Sequence, residues 1–179
     1  MQRVITYIRE RDRKLITSLL RLRGCAKLNL LMRTCTVFGG ALFTVGAVVV
    51  LLFVTEGRGK QASMVAAAAL AGSFLLVQWI KRMVKRFRPY LVMAEIKLLG
   101  TPLKDHSFPS GHTTSIFSIV TAFVITFPTL AVWCYALATL VAVSRIYLGF
   151  HYPTDVLAGI IIGVGFSIGS HAALHAWLL

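Results

Sequence analysis

Acidic residues are scarce in this chain: six Asp and Glu among 179 residues, against 19 Lys and Arg. Charge of either sign is low as well, at 14%, where an ordinary soluble domain carries about 25%. So few acids cannot lay the ion pairs of a soluble enzyme over a surface. Cysteine is sparse too. Cys25, Cys35 and Cys134 form an odd, scattered set, which argues against both a disulfide framework and a paired-cysteine zinc site. What is abundant is apolar: 57% hydrophobic residues and a mean hydropathy of +0.77. That content excludes disorder, because such a chain collapses or enters lipid. The length allows one domain. A chain this apolar with a formal net charge of +13 must keep the two properties in separate segments.

Residues 35–54, 61–80, 106–144 and 156–179 hold no Asp, Glu, Lys or Arg. A bilayer core of about 30 Å needs ~20 apolar helical residues, and these gaps have that size. The longest carries Pro128 near its middle, so it reads as two helices joined by a tight turn. Five spans follow: 35–54, 62–80, 110–127, 129–147 and 154–178. Backbone groups in lipid must be bonded internally, so the expected fold is all-α, a polytopic membrane helix bundle. Its organisation is a basic amphipathic segment, 1–34, ahead of one transmembrane domain, 35–179. No cleaved signal peptide is expected, since no short apolar region with an Ala-x-Ala site opens the chain.

Within the basic segment, residues 13–23 read as an amphipathic helix lying on an anionic membrane surface. Leu15, Leu19 and Leu22 stack on one face beside Ile16 and Leu20, Arg23 intrudes on it, and Gly24 stops it. The last span pairs Gly159 with Gly163 and Gly165 with Gly169. That four-residue spacing suits close helix contact, either internal or in a homodimer.

Alternating five spans puts three polar stretches on one membrane side: 1–34, 81–112 and 145–153. In the second, Lys81, Lys85 and Arg88 fall at i, i+4 and i+7, one stripe on a continuation of span two ended by Pro89. Alone this is a topology-setting basic cluster. Pro109-Ser110-Gly111-His112 then opens span three. It reads either as a plain cap with an interfacial histidine or as an anion site at a helix N-terminus. In the third stretch stand Ser144-Arg145 and His151-Tyr152-Pro153-Thr154-Asp155. Asp155 is a cap or a carboxylate that fixes the tautomer of His151, and Arg145 snorkels or binds an anion. Together, two histidines, a carboxylate and three cations on one face are the inventory for attack on a phosphoryl group without a metal.

The spacing of these residues resembles the type 2 phosphatidic acid phosphatase (PAP2) superfamily, which shares its core with vanadium haloperoxidases. The pattern's three parts match Lys81 through Arg88-Pro89, residues 109–112, and Ser144-Arg145 with His151 and Asp155. The resemblance implies a lipid phosphate or diphosphate phosphatase. In it His151 is the nucleophile that forms a phosphohistidine, Asp155 orients it, and His112 protonates the leaving group and then activates water. Lys81, Arg88, Ser110, Gly111 and Arg145 would bind the phosphoryl oxygens. Asp105 and His106 lie outside the pattern and read as loop residues; His171 and His175 read as interfacial. No cofactor, metal or nucleic acid is expected; the partners are the lipid substrate and membrane lipids. Of the 19 basic residues only Arg58 and Lys60 fall opposite the motifs, so the positive-inside rule predicts a site facing the cytoplasm.

Overall fold

A computed structural model of the chain describes residues 2–178, and among them there are helices and turns but no strand. The order is α1 (Gln2–Leu20), a 3-10 turn (Arg21–Gly24), α2 (Ala26–Val37), α3 (Ala41–Val54) and α4 (Gly57–Val84). Then come the short α5 (Pro89–Val92), α6 (Gly111–Thr126), a second 3-10 turn (Pro128–Leu130), α7 (Ala131–Tyr147) and α8 (Pro153–Leu178). Pro128 does end one helix and open the next, and Pro153 starts α8 at its first residue, where its missing N–H costs nothing.

The span count differs from expectation. By length and composition three helical stretches can cross a membrane: Gly57–Val92, Pro128–Tyr147 and Pro153–Trp177. A fourth arises if α2 and α3 count as one broken span, bent by 51°. The expected span 35–54 is interrupted at residues 38–40, where a Gly39-Gly40 pair turns the chain. A Cβ on Gly39 would stand 2.9 Å from the His112 carbonyl oxygen and 2.7 Å from Val141 Cγ1, so only glycine allows this corner to approach α6 and α7. The other short element is α6, whose 16 residues rise about 24 Å. It packs on α4, α7 and α8, so protein rather than lipid surrounds most of it, and it need not match the bilayer.

Glycine makes that packing close. Added Cβ atoms on Gly159 and Gly163 would meet Ser110 O at 2.8 Å and Thr114 O at 2.6 Å. The first glycine pair therefore serves contact within the chain, between α8 and α6. Gly165 and Gly169 have nothing within 4 Å and lie on the outer face.

The N-terminal helix is rotated from its expected setting. Ile16 is fully buried in a cluster with Met93 and Ile96, with Leu19 and Leu20 packed alongside. Leu15 and Leu22 remain more than half exposed. Leu22 falls in the 3-10 turn, outside α-helical register. Asp12, buried on the same helix, fixes which side of α1 faces the bundle. Arg23, which breaks the apolar stripe in sequence, donates from Nε to the Tyr147 carbonyl at 2.9 Å and from Nη1 to the Lys97 carbonyl at 2.5 Å.

Candidate active site

A cavity of about 280 Å³ opens at one end of the bundle, between the Gly39 corner, α4, α6 and the 145–151 segment. Its wall carries Lys81, Arg88, Asp105, Gly111, His112, Arg145 and His151. Most of the expected site residues are thus brought to one place, from segments far apart in sequence.

How Arg88 arrives there differs from the expected helical stripe. Helix α4 stops at Val84, and Lys85 takes a left-handed conformation with φ +49° and is exposed. The chain then reaches Arg88 in extended backbone (φ −74°, ψ 151°). Pro89 imposes this, since proline disfavours helix in the residue before it. In extended backbone alternate side chains share a face. Arg86 and Arg88 accordingly turn inward, while Phe87 between them is exposed.

Arg88 is buried and uses every edge of its guanidinium. Nε donates to the Asp105 carbonyl at 2.9 Å and Nη2 to Asp105 Oδ1 at 2.5 Å. Nη1 donates to the Phe150 carbonyl at 3.0 Å and lies 3.3 Å from His151 Nε2. Asp105 also forms an ion pair with Lys81. Burial opposes its ionisation, but the hydrogen bonds and charges of Lys81 and Arg88 outweigh burial and hold its carboxyl down at about 2. Arg145 is 2% exposed. Its Nη1 donates to Thr36 Oγ1 at 2.8 Å and its guanidinium lies 4.1 Å over the Phe150 ring. Its Nε and Nη2 are buried without a partner.

His151 sits in the loop between α7 and α8. Nδ1 is 2.7 Å from the Ser107 carbonyl oxygen. A carbonyl can only accept, so Nδ1 carries the proton and Nε2 keeps its lone pair, which lies on the cavity wall and faces Arg88 Nη1 at 3.3 Å. Burial lowers the imidazole's affinity for a second proton; Asp155 opposes this, and Arg145 and Arg88 reinforce it, leaving a pKa of about 3. The ring is neutral at physiological pH. Asp155 Oδ2 stands 3.6 Å from Nδ1, beyond hydrogen-bond reach, so Ser107 rather than Asp155 makes the direct bond. Asp155 is fully buried and accepts from Ser107 Oγ at 2.7 Å and the Tyr152 N–H at 2.8 Å, both on Oδ2. The second bond reaches back from the third residue of α8 to the residue before it. This is half of a capping box, which matches the cap reading of Asp155, while the proton on Nδ1 is held by the Ser107 carbonyl.

Ser110 precedes α6, and its hydroxyl bonds Thr113 Oγ1 at 2.9 Å instead of lining the cavity. Gly111 does line it, with open space where a Cβ would stand. The first amides of α6 have no partner within the helix. His106 contributes its carbonyl to Arg88, at 3.3 Å. His171 and His175 lie on the last turns of α8, their ring centroids 6.4 Å apart. No group of three or more metal-ligating side chains occurs among the described residues.

Sequence reasoning missed Arg86, Asp12, Ser107 and Gly39, and gave Asp105 no role. One signal was available: once Pro89 forces Arg88 into extended backbone, Arg86 at i−2 must share its face.

Fold and site define a helical membrane protein with a cation-lined cavity beside a neutral histidine. The PAP2 superfamily model matches residues 62–178, and the chain belongs to that superfamily. It is 37% identical over 100 residues to a lipid A 1-phosphatase of Rhizobium etli, covering 54% of this chain and 43% of that protein. It is 29% identical over 142 residues to an undecaprenyl-diphosphatase of Sulfolobus acidocaldarius, covering 77% and 66%. The chain thus spans between about two fifths and two thirds of these relatives' length. The crystal structure of Aquifex aeolicus LpxE superposes with a TM-score of 0.79 at 26% identity, covering 88% of this chain and 92% of that one.

Proposed function

We propose that the chain is an integral membrane phosphatase that hydrolyses a lipid phosphate or diphosphate through a phosphohistidine at His151. The observation that carries this reading is Arg145. A buried guanidinium with two unpartnered nitrogens costs free energy unless an anion completes it, and it shares its cavity with Lys81, Arg88 and the unprotonated Nε2 of His151. Three cations against one carboxylate leave a net +2, which suits a phosphoryl group. The names of the curated relatives point the same way.

In the proposed reaction, His151 Nε2 attacks phosphorus as the bond to the leaving oxygen breaks. The charge on the phosphoryl oxygens is held by Lys81, Arg88, Arg145 and the Gly111 amide. His112 gives the departing oxygen a proton. It then takes one from the water that splits the phosphorus–nitrogen bond, which releases phosphate and restores both histidines. Phe74, Val77 and Leu103 on the cavity wall suit a hydrocarbon tail leading from the headgroup. Undecaprenyl diphosphate, phosphatidylglycerol phosphate and phosphatidate are the candidate substrates, and the excess of basic residues on the motif side supports a cytoplasm-facing site. A homodimer, if formed, would use the outer Gly165 and Gly169 face.

The purified chain in detergent, given these three lipids and a soluble sugar phosphate, should release phosphate from a lipid. His151→Asn should abolish release while leaving the melting transition in place. Quenching with alkaline detergent after mixing with radiolabelled substrate should trap an acid-labile, alkali-stable label on the wild type. Full turnover by His151→Asn would refute the assignment.

A further inference from the structure

Behind the His151 ring, on the side away from the cavity, lies a buried ion chain that the proposed chemistry does not use. Asp12 of α1 is 1% exposed. Its Oδ2 accepts from Arg86 Nη2 at 2.7 Å and from Thr154 Oγ1 at 2.6 Å, and its Oδ1 accepts the Thr154 N–H at 3.0 Å. Arg86 then donates from Nη1 to Asp155 Oδ1 at 2.7 Å and to Thr154 Oγ1 at 2.8 Å, while its guanidinium stacks 3.9 Å over the Tyr152 ring. With Oδ1 held by Arg86, the Asp155 carboxylate is fixed in plane, and Oδ2 is presented to Ser107, the Tyr152 amide and the His151 ring.

Two features separate this chain from simple glue between helices. Docking of α1 is already provided by Ile16, Leu19 and Leu20, and a buried ion pair is seldom a better fastener than apolar side chains. The charges also count. Arg86 alone would cancel Asp155; with Asp12 the trio keeps a net −1 behind the imidazole. A neutral His151 that attacks through Nε2 while keeping its Nδ1 proton becomes a cation, and that net charge stabilises it. Neither Asp12 nor Arg86 lines the cavity, so both act through Asp155.

We infer that Asp12 and Arg86 are positioning residues for the Asp155–His151 pair, which makes the N-terminal helix a working part of the active centre. The inference rests on the reading of His151 as nucleophile.

In the full-length chain, Asp12→Asn should lower kcat by about 10- to 100-fold, the range that loss of an orienting partner costs, with KM within about twofold because the phosphate-binding cations are untouched. In an Asp155→Asn background the same substitution should cost almost nothing further, since both act on one element. A second readout needs no turnover: carbethoxylation of His151 by diethylpyrocarbonate, followed by mass spectrometry. It also builds positive charge on the ring, so Asp12→Asn should slow it; mere loosening of the fold would speed it. Wild-type kcat in Asp12→Asn, full additivity with Asp155→Asn, or faster carbethoxylation would each overturn the inference. Failure of the wild type to hydrolyse any lipid phosphate would defeat the phosphatase reading instead, and the carbethoxylation rates would still decide this one.

Discussion

Replacing Gly39 by alanine tests whether the break between α2 and α3 belongs to the catalytic apparatus. The new Cβ would stand 2.7 Å from Val141 Cγ1, 2.9 Å from the His112 carbonyl oxygen and 3.0 Å from His112 Cβ. Val141 can rotate away, but the His112 contacts involve the first turn of α6 and cannot be relieved by a side-chain swing. Ordinary contacts begin near 3.4 Å, so His112 and the corner must part by about half an ångström, at an overpacking cost of about 1–3 kcal/mol. A misplacement of about 1 Å at a reacting group can cost 10²-fold; half of that, on a logarithmic scale, gives about tenfold in kcat. Gly165→Ala is the control, because its Cβ meets nothing within 4 Å. Phosphate release and thermal melting in detergent should show Gly39→Ala slower and less stable, and Gly165→Ala unchanged in rate. A Gly39→Ala protein that melts and turns over like wild type would refute the reasoning.

Asp105 neutralises part of the cation cluster, and its carboxylate is about half exposed. Asp105→Asn should therefore tighten inhibition by inorganic phosphate by about tenfold, for a charge removed from a partly hydrated site; an unchanged inhibition constant would contradict this. For His151 the folded value near 3 lies below the ordinary 6.5, so the unfolded chain takes up the proton first as pH falls. Its contribution to stability is full above about 6.5 and is lost toward 3, at up to about 1.4 kcal/mol per pH unit. Melting temperatures of the wild type should thus fall more steeply below about pH 6 than those of His151→Asn, and parallel curves would refute the buried neutral ring. Membrane sidedness can be read from exposed Cys25, once Cys35 and Cys134 are replaced by serine. An impermeant maleimide should label it only after the cells are permeabilised, whereas labelling of intact cells would place the site outside.

Helix existence was legible because lipid leaves helices almost no alternative and because proline punctuates the chain at 89, 128 and 153. Span count was not. A charge-free run records what a segment can tolerate, not what surrounds it. Residues 35–54 are apolar throughout, yet Gly39 and Gly40 bend them because α6 approaches closely there. Likewise α6 is short because α4, α7 and α8 enclose it. Neither fact can be read without the tertiary neighbour.

The site divides along the same line. Residues whose own chemistry suits a phosphoryl group declared themselves by type and spacing: Lys81, Arg88, His112, Arg145, His151 and Asp155. The groups that aim them did not, because aim depends on which backbone passes nearby. The proton on His151 is fixed by the carbonyl of Ser107, an atom that every residue possesses and no pattern can mark. Asp12 joins Asp155 across 143 positions through Arg86, and its carboxylate reads in sequence as one more charge in a basic tail. Among only six acids, however, three sit at this one centre: Asp12, Asp105 and Asp155. In a chain where acidic residues are so rare, that concentration is itself the signal, since elsewhere on a membrane-facing surface a carboxylate would repel the lipid that the basic residues attract. The scarcity of acids therefore does more than exclude a soluble surface; it singles out half of those that remain as parts of the proposed active centre.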